Sequence, residues 1–159
     1  MKPKLYLETT IPSYLAGRPS RDLLVAAHQQ ITRDWWELRR GEFDLYASEL
    51  VIHEVREGDA KVARNRLELL DNAALLPVTG EIMESAEELI VEGPIPRKAA
   101  RDAAHIAIAT VYDCEYLLTW NCRHIANAEL DRTIRRVVER HGYEIPILCT
   151  PEELMGDEP

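Results

Sequence analysis

The chain has 159 residues, of which 46% are hydrophobic and 30% are charged, and its formal net charge is -9 at pH 7. These values are typical of one folded domain, and they exclude a disordered chain and a protein that coats nucleic acid with a broad basic surface. The 3 cysteines lack a CxxC spacing, which disfavours a disulfide framework or a zinc site. No segment is long enough for a signal peptide or a membrane span, so the sequence predicts a cytoplasmic protein.

Short apolar runs along the chain have the pattern of β-strands. The predicted strands are Lys4 to Glu8, Phe43 to Ala47, Ala74 to Val78, Glu115 to Thr119 and Ile145 to Cys149. Helical patterns fill the gaps between these runs. Because strands that alternate with helices favour a parallel sheet covered on both faces, the sequence predicts an α/β fold, a three-layer α/β/α sandwich.

The first long helix is predicted between the first two strands, with Ser20 as its cap and Gly41 at its end. Its apolar face, at steps of three or four residues, is predicted to consist of Leu24, Ala27, Ile31, Trp35 and Leu38.

Further helices are predicted in each of the remaining gaps. They run from Ser48 through Val55, from about Asp59 to Leu70, from Thr79 to Val91, from Pro96 to about Tyr112, and from Asn127 to Gly142. A capping-box pattern at Thr150-Pro151-Glu152-Glu153 predicts a short terminal helix.

Polar residues follow two of the predicted strands. Glu8 ends the first strand and Asn121 comes just after the fourth. Ligands of open parallel sheets collect beyond the carboxyl ends of strands, so we expect both side chains at one crevice if these strands are neighbours. Glu54 lies on the helix after the second strand, and Asp102 lies among small apolar residues early on the helix before the fourth.

A group of such carboxylates needs compensation for its charge. Two carboxylates about 4 Å apart repel by roughly 4 kcal/mol at an effective dielectric constant of about 20. A hard divalent ion such as Mg2+ supplies that compensation, prefers oxygen ligands and lowers the pKa of a bound water. The arrangement therefore predicts hydrolysis of a nucleic-acid phosphodiester.

Segments from most of the chain together resemble the PIN-domain family, and in particular VapC-like toxins. They are Leu5-Tyr6-Leu7-Glu8-Thr9-Thr10, Ser48-Glu49-Leu50-Val51-Ile52-His53-Glu54-Val55, Arg101-Asp102-Ala103-Ala104-His105-Ile106-Ala107 and Leu117-Leu118-Thr119-Trp120-Asn121. The resemblance implies a single PIN-like domain over residues 1–159 and a five-stranded parallel sheet in the order 3-2-1-4-5. It also implies an endoribonuclease that depends on Mg2+ or Mn2+ and acts as the toxin of a type II toxin–antitoxin pair. Homodimers, which are frequent in the family, and a small antitoxin partner are implied as well.

The resemblance assigns catalysis and metal binding to Glu8, Glu54, Asp102 and Asn121, with Thr119 as a hydroxyl contact near the metal. Glu8 and Asn121 each stand where the family commonly has Asp. The longer Glu8 would shift the ion or the strand end, and the neutral amide of Asn121 weakens cation binding and disfavours a second metal. A catalytically weakened PIN-like module that binds RNA or a protein partner is therefore the alternative function.

Each of these residues also has a purely structural interpretation. Glu8 could be an exposed charge at a strand end, and Glu54 could belong to a solvated acidic helix face. Asn121 could stabilise the turn after its strand. His105 could hydrogen-bond Asp102, although a buried structural role is expected.

Side chains that could contact RNA lie near the same positions. Arg101 precedes Asp102, and Arg123 follows Asn121, so both could bind phosphate, but a solvated surface explains them equally well. Trp120 is the tryptophan predicted to lie near the crevice, where it could stack a base.

Overall fold

The computed structural model of the protein describes residues 1–157, which form a parallel sheet of five strands. The strands are β1 (Lys4–Leu7), β2 (Asp44–Ser48), β3 (Ala74–Leu76), β4 (Tyr116–Leu118) and β5 (Ile147–Cys149). Their order is β3-β2-β1-β4-β5 and every neighbouring pair is parallel. The predicted order and direction of the strands are confirmed.

β1 lies at the centre of the sheet because its residues are apolar on both faces. Leu5, Tyr6 and Leu7 are all fully buried, whereas a strand with one open face alternates between buried and exposed positions. The register pairs Leu7 with Leu118 of β4. The two residues that follow, Glu8 and Thr119, therefore leave the sheet side by side at its carboxyl edge.

Within residues 1–157, seven α-helices flank the sheet and complete the predicted α/β/α architecture. They are α1 (Thr10–Ala16), α2 (Leu23–Arg39), α3 (Glu49–Val55), α4 (Ala60–Leu69), α5 (Gly80–Val91), α6 (Ala100–Val111) and α7 (Ala128–Arg140). α1 packs against α2 and α4, whereas α5 packs against α6 and α7. None of these helices combines the length and the apolar character that a membrane crossing requires.

Several helices begin at the predicted capping residues. The side chains that accept a backbone N–H of the first turn include Ser48, Asp59, Thr79 and Asn127. Such caps satisfy N–H groups that have no partner inside the helix, so they fix where a helix starts.

α2 differs from its prediction at its start and on its buried face. Its cap is Asp22, which accepts a hydrogen bond from the backbone of Val25 at 3.0 Å, instead of the predicted serine. Leu24 and Leu38 were expected in the core but are 66% and 65% exposed, whereas Trp35 is fully buried. The predicted apolar face is therefore wrong at Leu24 and Leu38, and Ala27 on the same face is exposed as well.

α1 occupies a segment for which the sequence predicts no helix. It has 7 residues, contains Pro12, and is preceded by Thr9, which makes no side-chain cap hydrogen bond. A short helix without a capping side chain leaves little pattern in the sequence. Its position matters because its first residue, Thr10, comes two positions after Glu8.

The terminal segment forms the predicted capping box but not the predicted helix. Thr150 donates its backbone N–H to Glu153 Oε1 at 3.0 Å, and Glu153 donates its own to Thr150 Oγ1 at 3.3 Å. Turns rather than a helix follow. The carbonyl of Leu154 accepts the indole N–H of Trp35 at 3.2 Å, which holds this segment against α2.

α5 and the end of α7 are joined by a small network on the surface. Glu92 accepts hydrogen bonds from His141 at 2.7 Å and from Arg140 at 2.9 Å. The hydrogen bond from His141, followed by that from Arg140, holds the pKa of Glu92 below its ordinary value.

Candidate active site

Glu8 is buried at the carboxyl ends of β1 and β4. Its Oε1 accepts hydrogen bonds from the Thr10 hydroxyl at 2.6 Å, the Thr119 hydroxyl at 2.6 Å and the Thr10 backbone N–H at 3.2 Å. The residue is 5% exposed, so it is not the solvated strand-end charge that the sequence left open. No ion pair within residues 1–157 includes it. Its charge is therefore buried among neutral donors without a cationic side chain.

Glu54 reaches the same crevice from α3. Its Oε1 accepts hydrogen bonds from the Thr9 hydroxyl and from His105 Nε2, each at 2.6 Å, and its side chain is 16% exposed. Burial acts to raise the pKa of Glu54, but the hydrogen bond from His105, the Thr9 hydroxyl and the nearby Arg101 together lower it below its ordinary value. The side chain does not lie on a solvated acidic face.

The side chains of Glu8, Glu54 and His105 bring three potential ligand atoms close together. These three atoms lie within 4.8 Å of one another. We call these three residues the acidic group. Glu8 and Glu54 belong to the predicted set of site residues. His105 is fully buried, as expected, but it bonds Glu54 instead of Asp102.

Asp102 lies one helical turn before His105 on α6 and makes a different contact. Its Oδ2 is 2.9 Å from Nδ1 of His124, which follows β4. It is not a member of the acidic group. The structure therefore places Asp102 next to this group along α6, with its carboxylate engaged by the loop after β4.

Asn121 organises the loop that carries His124. Its Oδ1 accepts the backbone N–H groups of Arg123 at 3.2 Å and His124 at 3.0 Å. An amide oxygen has two lone pairs, and these contacts occupy both. The backbone N–H of Asn121 donates to Thr119 Oγ1 at 2.9 Å. The contacts of Asn121 are those of a turn residue, and metal binding by this side chain stays a prediction.

The residues expected to contact RNA differ in their surroundings. Arg101 is half-exposed and binds Glu57 at 2.9 Å, and Arg123 is exposed. Trp120 is only 8% exposed, and its ring stacks on His28 with a centroid separation of 3.9 Å. The ring is enclosed by protein, so the expectation that it could stack a base is wrong.

The hydroxyls of Thr9 and Thr10 are the part of the site that sequence reasoning missed. Each donates to one carboxylate of the acidic group, Thr9 to Glu54 and Thr10 to Glu8. The available signal was the pair of hydroxyl residues directly after an acid at a strand end, because a buried carboxylate requires hydrogen-bond donors.

No protein-family model matches the chain, and no curated protein matches its sequence. Solved structures do match. VapC20 of Mycobacterium tuberculosis, a sarcin-ricin loop cleaving toxin, aligns with a TM-score of 0.60 and 15% identity over 76% of this chain and 92% of that chain. The structure of VapBC2 from Rickettsia felis, bound to a DNA fragment from the VapBC2 promoter, aligns with a TM-score of 0.53 and 16% identity. The alignment covers 81% of this chain and 92% of that chain. The chain has the fold of these VapC structures, as the PIN-domain resemblance predicts.

Proposed function

We propose that the chain is a metal-dependent endoribonuclease that hydrolyses RNA phosphodiester bonds as the toxin of a type II toxin–antitoxin pair. The observation that carries this proposal is the acidic group at the carboxyl edge of the sheet, where ligands of such sheets bind. The fold shared with a toxin that cleaves the sarcin-ricin loop favours the same class of activity. A homodimer and a small antitoxin partner belong to the same proposal.

The donor set of the acidic group suits Mg2+ or Mn2+. Glu8 and Glu54 supply carboxylate oxygens, which hard divalent ions prefer. Glu8 forms no ion pair within residues 1–157 that would balance its charge. A bound ion of this kind lowers the pKa of a water and neutralises charge on the phosphate. We propose that Glu8 and Glu54 hold the ion directly.

The remaining predicted residues have supporting places in this proposal. Asp102 completes the acidic edge one turn from His105, and Asn121 orients the loop that contacts Asp102 through His124. Thr119 holds Glu8 in place. Arg101 and Arg123 would bind phosphates of the RNA backbone, because both reach solvent beside the crevice.

A second function is favoured by the hydrogen bonds of two predicted ligands. The carboxylate of Asp102 is engaged by His124, and the amide oxygen of Asn121 is engaged by its own turn. Fewer free oxygen ligands weaken metal binding, so a PIN-like module that binds RNA or a protein partner without cutting is the second candidate. It predicts RNA binding without metal-dependent cleavage.

Cleavage of structured and single-stranded RNA in the presence of Mn2+ tests the proposal. Glu8→Gln and Glu54→Gln should each lower the cleavage rate by about 100-fold or more, since both remove a negative ligand. Glu68→Gln is the matched control, because Glu68 is exposed on α4, and it should cut as the wild type does. Chelator should abolish cleavage. Glu8→Gln activity equal to that of the control contradicts the nuclease proposal, and RNA that is bound but never cut supports the second function.

A further inference from the structure

A chain of buried hydrogen bonds runs from the middle of the sheet to the acidic group. The Tyr6 hydroxyl lies 2.9 Å from Ser48 Oγ and 2.7 Å from His105 Nδ1, and His105 Nε2 lies 2.6 Å from Glu54 Oε1. Tyr6, Ser48 and His105 are all fully buried. We infer that Tyr6 and His105 position Glu54 for the metal, an inference that rests on the proposed function. In this view His105 is a positioning residue and does not bind the metal itself.

The direction of the hydrogen bonds follows from the donors and acceptors available. An ionised Glu54 can only accept, so Nε2 of His105 carries the proton of that bond. In a neutral imidazole Nδ1 is then an acceptor, and the Tyr6 hydroxyl donates to it. The Tyr6 oxygen accepts from the Ser48 hydroxyl, whose oxygen accepts the backbone N–H of Val51 at 3.2 Å. With these directions, each hydroxyl and ring nitrogen between Ser48 and Glu54 has a hydrogen-bond partner.

His105 in this state has no lone pair to offer a metal ion. Nε2 bears a proton directed at Glu54, and the lone pair of Nδ1 is occupied by Tyr6. The ring is also fixed by packing, since its centroid is 5.8 Å from that of Tyr6 at an interplanar angle of 53°. The ring therefore acts on the metal through Glu54.

The two carboxylates are then held in the same way. Oε1 of Glu54 is occupied by His105 and Thr9, and Oε1 of Glu8 is occupied by the hydroxyls of Thr10 and Thr119. In Glu8 the second oxygen, Oε2, stays outside these bonds, whereas in Glu54 it faces the crevice rim and lies 3.8 Å from Nη1 of Arg101. A carboxylate with one oxygen fixed offers the other in a defined direction, which lowers the reorganisation needed to bind an ion.

Tyr6→Phe tests the inference because it removes only the hydroxyl and keeps the buried ring. Tyr46→Phe is the matched control, since Tyr46 is the register partner of Tyr6 on β2 and no side-chain hydrogen bond within residues 1–157 involves its hydroxyl. Folding of both variants is checked by circular dichroism. His105→Gln is the second variant, because its amide nitrogen can still donate to Glu54.

The first measurement is the tautomer of His105 in metal-free protein, read from nitrogen chemical shifts of the ring by NMR. The wild type should carry its proton on Nε2, and Tyr6→Phe should disturb that preference while Tyr46→Phe should not. A wild-type ring protonated on Nδ1 alone would overturn the inference, because Nε2 would then be free to bind a metal.

The second measurement is the Mn2+ dissociation constant, read from the electron paramagnetic resonance signal of free Mn2+. Tyr6→Phe should weaken binding by about tenfold or more, as removal of a residue behind a metal ligand does, and Tyr46→Phe should match the wild type. His105→Gln should bind Mn2+ better than His105→Ala. Equal affinity of Tyr6→Phe and wild type would overturn the inference.

The two measurements separate this inference from the proposed function. Neither measurement requires RNA. A protein that binds Mn2+ but cuts no RNA overturns the proposed nuclease activity. In that case the ratio of the Mn2+ affinities of Tyr6→Phe and wild type still decides the role of His105. Where RNA is cut, Tyr6→Phe should raise the Mn2+ concentration for half-maximal rate more than it lowers the rate at saturating Mn2+.

Discussion

The hydroxyl of Thr10 joins the two sides of the crevice, and Thr10→Val removes it with little change in shape. That hydroxyl donates to Glu8 Oε1 at 2.6 Å and accepts the backbone N–H of Trp120 at 2.9 Å. Valine has nearly the same volume, so the substitution opens no cavity. The variant therefore reports on the two hydrogen bonds alone.

The expected loss follows from the groups that Thr10→Val leaves without a partner. A hydrogen bond to a charged group contributes about 1.5–3 kcal/mol, and a buried N–H left unsatisfied costs about 1–3 kcal/mol. Glu8 and Trp120 are 5% and 8% exposed, but Thr10 itself is half-buried, so the lower part of both ranges applies. We expect the free energy of unfolding to fall by about 3 kcal/mol, a large share of the usual 5–15 kcal/mol or so for a domain.

Urea unfolding followed by tryptophan fluorescence measures this loss. The midpoint should fall while the slope with urea stays unchanged, because the exposed area on unfolding is the same. Thr10→Ser keeps the hydroxyl and is the control, with an expected loss of about 1 kcal/mol for its methyl group. A loss under about 1 kcal/mol for Thr10→Val would refute the view that this hydroxyl holds the crevice together.

Three further predictions concern separate parts of the molecule. Asn121→Asp keeps an acceptor for the two N–H groups of its turn and adds charge at the crevice. Mn2+ affinity should therefore rise by roughly tenfold, or about 1.4 kcal/mol. Asn127→Asp is the control, because it makes the same change at the cap of α7, and it should leave the Mn2+ affinity unaltered. Glu92, whose pKa is lowered by His141, contributes stability above pH 4.5 that is lost as pH falls through its lowered pKa. The difference in Tm between wild type and Glu92→Gln should therefore vanish in acid, and a constant difference contradicts this. Cys122 is exposed and should react with a thiol reagent in the folded protein. Cys114 and Cys149 are buried, which raises the pKa of each thiol to about 12, so both should react only after unfolding. Mass spectrometry of the labelled protein checks which thiols have reacted.

Local patterns predicted most of the fold because they reflect local physics. The apolar run of β1 requires cover on both faces, and the caps at Ser48 and Thr79 satisfy N–H groups within their own helices. The strand order followed from the PIN-domain resemblance, since hydrophobic periodicity alone does not say which strands are neighbours. The order β3-β2-β1-β4-β5 confirms that inference.

The buried face of α2 shows where periodicity fails. Gln29 and Thr32 are buried although they are polar, because each has hydrogen-bond partners inside the protein. Gln29 bonds the backbone of Arg18 and Ser20, and the hydroxyl of Thr32 accepts the indole N–H of Trp120 at 2.6 Å. These partners lie outside α2, in the turn before it and in the loop after β4, so a pattern of apolar residues cannot reveal them.

The acidic group was predictable only in part for a similar reason. Glu8 was found because it ends a strand, and Glu54 because the PIN-domain resemblance placed it in the site. The role of His105 depends on Tyr6, which lies 99 positions away in sequence. A histidine among apolar residues on a helix is as consistent with a core position as with an active site, and only the tertiary contact distinguishes the two.

The two departures from the family pattern, Glu8 and Asn121, are joined by the hydroxyl of Thr119. Its one proton goes to Glu8 Oε1, and its oxygen accepts the backbone N–H of Asn121. An RNA contact by Thr119 would have to displace one of these bonds. An aspartate at position 8 would be shorter by about 1.5 Å, one carbon–carbon bond, and would need a backbone shift to meet the hydroxyls of both Thr10 and Thr119. The length of Glu8 therefore matches its partners, Thr10 in α1 and Thr119 directly after β4, so this departure by itself is no sign of a lost activity.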